Sequence, residues 1–262
     1  MKNKCLKVMT FNLKTDHLFS KKNTWKRRGG AAYSILNKYK CDIIGTQEVS
    51  GSIYEDIISR LKGYKIIGKP RTRKIMSERN SILVSEKFNI MNEETFWLSN
   101  NPDKEGSSFW YSLFPRICTT AIIMEGNERI ARVYNTHLDC LLPIARKKGL
   151  EKIIEHMKKY HSEEKLPTIL MGDFNAGPNS RLIKGLNERR LDDGKLVAVQ
   201  EYDKKLYKIG TFRSKKTIHI DYIFVSEDFK INNVQIIKDN YNGIYPSDHY
   251  PLMAELQIKE KL

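Results

Sequence analysis

Apolar residues recur along this chain at two periods, and the switch between them outlines the fold. Residues 6–12 (LKVMTFN) and 42–47 (DIIGTQ) are short, largely apolar runs that predict strands. Residues 26–39 place Ala31, Ala32, Ile35, Leu36 and Tyr39 at helical spacing, and residues 54–61 predict a second helix. From 82 to 136 the pattern is β-dominated: ILV, TFWL, ICTTAIIM and IARVYNTHL alternate with turn-like NE, NNPDKEG and EGNE. An amphipathic helix is predicted over 146–160, then a buried strand over 168–172 that ends in GDFN. Strands follow at 218–225 and 252–258. Strands outnumber helices and run consecutively, which predicts an α/β chain of two packed sheets covered by helices. No repeat or linker interrupts the pattern, so residues 1–262 are expected to form one domain.

Composition adds three constraints. At 40% hydrophobic residues the chain can bury a sizeable core, which excludes wholesale disorder. No apolar run approaches the ~20 residues of a membrane span, so no stable membrane association is expected. Cys5, Cys41, Cys118 and Cys140 form no CxxC or zinc-ligand spacing, and all lie in apolar stretches where a thiol packs as a small hydrophobe. With no leader-like segment at the N-terminus, these features point to a monomer in the cytoplasm.

The net charge of +15 points to an acidic partner. Residues 1–40 carry eleven Lys/Arg against one acid, residues 60–79 eight against Glu78, and residues 204–216 six with none. Trp25, Trp110 and Tyr111 lie near such stretches and could stack bases. Lys outnumbers Arg 32 to 14, however, a balance that genome-wide composition explains equally well.

The polar residues at the predicted strand ends carry the chemistry. Asn12 closes the first strand and Glu48 the second. His137 and Asp139 end YNTHLD two apart, and Asp173 and Asn175 end MGDFN with the same spacing. Asp221 lies in HIDYIF, and Asp248 and His249 precede the final strand. Singly, such residues are turn formers or caps. Gathered at one rim, the oxygen donors Glu48, Asp173, Asn175 and Asp248 suit Mg2+ or Mn2+, and the absence of Cys/His ligand pairs argues against zinc. Two histidines alongside would serve proton transfer or phosphate binding, the chemistry of phosphate-ester hydrolysis.

The ordered series TFN, QE, NTHLD, GDFN, IDYIF and SDHYP resembles the endonuclease/exonuclease/phosphatase superfamily, over residues 6–255. The resemblance implies a DNase I-like four-layer α/β sandwich and a divalent-metal-dependent phosphoesterase. It implies Glu48 as the principal metal ligand, with Asp248, Asn12 and Asp173 also at the metal. Asp173 and Asn175 would position water and phosphate, and Asp221 would hold the catalytic His249. His137 would act on the phosphate or leaving group with Glu78 as its carboxylate partner. Asn80 lies two residues beyond Glu78, facing the same way on a strand. Arg116, Asn12, Asn175, His137 and Asn80 form the expected phosphate-binding set, although Arg116 could equally make a surface ion pair. Two departures from small bacterial members are expected near the substrate mouth: Thr120 replaces a tryptophan, and the loop at 68–77 is basic where an acidic, glycine-rich one is usual. The substrate is expected to be a nucleic acid or another polyanionic phosphate. A phosphorylated small metabolite is the alternative, and a non-catalytic phosphate-binding module a third.

Overall fold

The computed structural model describes residues 4–16, 24–74, 77–187, 190–191, 194–214 and 217–260. Elements follow in the order β1 (Cys5–Asn12), α1 (Trp25–Tyr39), β2 (Ile43–Val49), α2 (Gly51–Arg60), β3 (Tyr64–Ile67), β4 (Arg79–Ser85) and β5 (Asn89–Trp97). Next come β6 (Ile117–Glu125), β7 (Glu128–His137), α3 (Pro143–Glu163), β8 (Thr168–Asp173), α4 (Arg181–Asn187), β9 (Arg190–Leu191) and β10 (Gly194–Ala198). Two short 3-10 turns lead to β11 (Asp221–Ser226), β12 (Phe229–Ile236) and β13 (Leu252–Ile258).

Two mixed sheets pack face to face. One has the order β12-β13-β1-β2-β4-β3, the other β5-β6-β7-β8-β11-β10-β9. The alternation along each strand sorts side chains into layers. Leu6, Val8, Ile43 and Val84 point between the sheets and meet Ala121, Val133, Met171 and Ile223. Met9, Phe11, Ile44 and Leu83 face the other way, under Ala32, Ile35 and Leu36 of α1 and Ile53 and Ile57 of α2. On the far side, Cys118, Tyr134, Leu170 and Phe224 pack beneath Leu150, Ile153 and Met157 of α3 and Ile183 of α4. The result is the expected four-layer α/β sandwich. Among the described residues, no helix is long and apolar enough to cross a membrane.

The sequence pattern locates the buried elements and misses edges. β3, β9, β10, β12 and α4 have no counterpart among the predicted elements; β12 (FKINNVQI) is a polar edge strand, and β9 and α4 are short. Two expectations about single residues are corrected. Thr120 lies within β6 opposite Tyr134, 1% exposed beneath the α3 layer, and so presents no surface to a substrate mouth. The four thiols also divide: Cys41 and Cys118 are core, whereas Cys5 and Cys140 are exposed because each sits at a strand or loop end.

Candidate active site

Strand ends from both sheets meet at one rim. The parallel pairing of β7 and β8 sets His137 opposite Asp173, and the antiparallel pairing of β8 and β11 sets Asp173 opposite Asp221. Three functional side chains therefore stand on adjacent strands, ~4.8 Å apart in the hydrogen-bonding direction. Gly172 makes this possible. Its φ is 147°, and a Cβ there would lie 1.9 Å from the Thr136 carbonyl oxygen.

The other sheet contributes Asn12 and Glu48. The register between β2 and β4 slips between Thr46 and Val49, and Glu48 within that bulge has φ 58°. The bulge re-aims its carboxylate toward the rim. Lys14 (φ 56°) and Asn175 (φ 49°) share this left-handed backbone, which is uncommon for Lys and Glu and marks conformations imposed by their surroundings. Below them a buried amide bridge ties the sheets together. Gln47 Nε2 donates to Asn135 Oδ1 at 2.7 Å, and Asn135 Nδ2 donates to the carbonyls of Thr46 and Ser81, both at 2.9 Å.

At the centre, Asn12 Nδ2 donates to Glu48 Oε1 at 3.0 Å and to Asp173 Oδ2 at 3.1 Å. Its amide oxygen accepts from the Lys14 N–H at 2.9 Å, so Asn12 spans the two carboxylates and spends its own oxygen on the chain. Glu48 Oε2 accepts from the Thr15 N–H at 2.9 Å. Asp173 Oδ1 accepts from the Asn175 N–H at 2.9 Å, and Asn175 Nδ2 donates to the Leu138 carbonyl at 3.0 Å. Lys14 forms an ion pair with Asp248.

The two histidines are driven to opposite states. His249 Nδ1 lies 2.9 Å from Asp221 Oδ2, and its Nε2 faces Asp173. Burial opposes the imidazolium, but Asp221, Asp173 and Asp248 outweigh it and raise the pKa of His249. His137 is pushed well below the ordinary histidine range, chiefly by burial and then by Arg116, His249 and Arg71. Asp173 is raised, by burial first and by Asp221 next.

A second wall forms around His137, whose Nε2 is 3.5 Å from Asp173 Oδ2. Arg71, from the basic loop, turns inward beside Arg116, and its Nη1 pairs with Glu78 at 2.8 Å. Glu78 thus shares this wall with His137 and holds Arg71 there. Asn80 also lines it, with Nδ2 donating to the Ile117 carbonyl at 2.8 Å. Arg116 is 7% exposed and no surface ion pair; its Nη2 points at Cys140 Sγ, 3.4 Å away, while its Nε has no hydrogen-bond partner. Sequence reasoning missed Lys14 and Arg71 as site residues, and also Arg28. Fully buried on α1, Arg28 donates to the carbonyls of Leu13, Lys14 and Pro246 and pairs with Asp16.

The cleft enclosed by these groups has a volume of about 530 Å3. Glu48, Asp173 and Asp248 present carboxylate oxygens to it, a hard donor set that fits Mg2+ or Mn2+. Asp173, Asp221 and His249 lie close enough to share an ion, but the last two are committed to each other. Arg28 and Trp25 are buried rather than solvated, Lys21, Lys22, Lys215 and Lys216 lie outside the described residues, and Trp110 is 94% exposed.

A two-sheet sandwich with acids, amides and a His–Asp pair gathered on one rim defines the DNase I-like phosphoesterases. The chain belongs to the endonuclease/exonuclease/phosphatase family, whose model matches residues 9–249. It is similar to a family member from Bacteroides thetaiotaomicron, at 27% identity and TM-score 0.87 over 99% of this chain and 100% of that one. It is also similar to a mannosyl-6-phosphatase of the same organism, at 28% identity and TM-score 0.84 over 96% and 99% of the two chains. The catalytic domain of human Nocturnin, solved with a sulfate anion, shares the fold at 18% identity and TM-score 0.74, over 97% of this chain and 94% of that one. No curated protein matches the chain. Family and relatives are phosphoesterase hydrolases.

Proposed function

We propose that the protein is a Mg2+- or Mn2+-dependent phosphomonoesterase acting on a small phosphorylated metabolite such as a sugar phosphate. The observation that carries this choice over a nucleic acid is the pair of inward-turned guanidiniums, Arg71 and Arg116, beside neutral His137. Planar forks at the end of a compact cleft match the terminal oxygens of a phosphate dianion, where an extended strand would need a rail of free surface cations. The likeness to a mannosyl-6-phosphatase along nearly the whole of both chains supports the same choice.

Glu48 would be the principal ligand of the ion, with Asn12 fixing Glu48 and Asp173 relative to each other. A bound divalent ion would offset charge gathering on the phosphoryl oxygens. Asp173, its pKa raised by burial and then by Asp221, takes a proton from the attacking water, whose oxygen forms the new bond to phosphorus as the ester P–O bond breaks and the leaving alkoxide takes up a proton from solvent. His249, held as imidazolium by Asp221, donates to a phosphoryl oxygen from Nε2. Arg116 and Arg71 hold the remaining oxygens.

The test is a panel of sugar phosphates, nucleotides, a phosphodiester and duplex DNA, each assayed with Mg2+ and Mn2+. Inorganic phosphate should be released from monoesters, and release should be lost with EDTA and in Glu48→Ala and His249→Ala. Cleavage of DNA without monoester turnover would move the assignment to the nuclease alternative.

A further inference from the structure

Lys14 is a cation built into the acidic rim. Its ammonium pairs with Asp248, and its side chain is only 20% exposed. Its backbone is fixed on every side: φ is 56°, its N–H donates to Asn12 Oδ1 at 2.9 Å, and its carbonyl accepts from the Arg28 guanidinium. Arg28 also donates to the carbonyl of Leu13 and, at 3.0 Å, to that of Pro246, two residues before Asp248. One buried guanidinium therefore clamps both partners of the ion pair. A lysine on a flexible surface loop would have none of these restraints.

We propose that Lys14 serves as a fixed positive charge in place of a second metal ion, so that the rim takes a single divalent cation centred on Glu48. The inference rests on the metal-dependent reading above and assigns Lys14 an electrostatic role that acts through Asp248. A carboxylate already paired with an ammonium has little left to offer an ion, and a second dication next to the ammonium would meet its repulsion. Replacing the ammonium with an apolar group of similar length frees Asp248 to join a second site.

Mn2+ binding, followed by isothermal titration calorimetry and by the electron paramagnetic resonance signal of the free ion, reads this directly. The wild-type chain should bind one Mn2+. Lys14→Met should bind two, and Lys14→Arg, which keeps the charge, should bind one. Lys14→Met combined with Asp248→Asn should return to one, which places the added ion at Asp248. Glu48→Gln should weaken the single wild-type site at least tenfold. Circular dichroism melts check that each variant is folded. Two ions on the wild-type chain, or one on folded Lys14→Met, overturn the inference about Lys14 and leave the metal-dependent reading standing. No Mn2+ binding by the wild-type chain overturns both.

Discussion

At the scale of single residues, the rim shows which chemistry a sequence displays and which it hides. Asn12, Glu48, His137, Asp173, Asn175, Asp221, Asp248 and His249 were legible because each sits at or beside a strand end, where the two-residue period and a short motif fix its direction. Lys14, Arg28 and Arg71 were not, because they reach the rim from loops and a helix through contacts tens to hundreds of residues apart in the chain. No spacing rule encodes such contacts. Asp221 offers the sharpest residue-level prediction. Asp221→Asn removes the charge that holds His249 as imidazolium while keeping an acceptor in place, so kcat should fall about 100-fold to 10,000-fold. Steady-state kinetics beside a thermal melt separates this from unfolding, and a near-normal kcat would remove the pair from the mechanism. Gly172→Ala tests the backbone beneath. A Cβ 1.9 Å from the Thr136 oxygen, at a φ that side chains rarely adopt, should cost about 3 kcal/mol or more by urea titration. A variant as stable as the parent would mean that β7 and β8 can part without penalty.

At the scale of elements, the buried strands and longer helices read clearly because their apolar faces have nowhere else to go. The edge strand β12 did not, since it carries polar residues that solvent accepts as readily as a neighbour strand. The packing of α1 against α2 shows a further layer that periodicity does not reach. Asp56 on α2 accepts from Trp25 Nε1 at 2.7 Å and from Tyr33 Oη at 2.8 Å, both on α1, and pairs with Arg60 Nε at 2.8 Å. Burial would raise its pKa, but these donors outweigh burial and lower it below the ordinary 3.8. A depressed carboxylate stabilises the fold above the unfolded pKa and loses that contribution as pH falls through the folded one. Asp56→Asn should therefore cost about 1–2 kcal/mol at pH 7 and progressively less below pH 3.8. Urea titrations of both proteins at pH 7 and pH 3 check the sign. An equal gap at the two pH values would show that the contact matters for its shape and not its charge.

At the scale of the whole molecule, the +15 charge and the phosphate chemistry agree in sign, yet the fold decides how that charge can be used. Part of it is spent inside. Arg28 clamps loops, Arg71 pairs with Glu78 within the cleft, and Arg116 lies buried beside His137. Other cations are answered on the surface, as Lys38 is by Asp239, Arg73 by Glu105 and Lys87 by Asp42. A protein that neutralises six to ten DNA phosphates loses affinity with a log–log salt slope of roughly −0.9 for each phosphate. A small phosphate carries no condensed counterion layer to release, so its binding should depend on salt far more weakly, through screening alone. kcat/KM for a sugar phosphate should therefore fall only gently between roughly 50 and 200 mM salt. Duplex DNA should fail to inhibit that hydrolysis at the upper end of the range. Micromolar inhibition by DNA at 200 mM salt, with a slope near −6, would mean that the exposed lysines act as one continuous surface leading to the rim. In that case the charge excess would mark the substrate itself, and Arg71 and Arg116 would be the end of a nucleic-acid track and not the walls of a metabolite site.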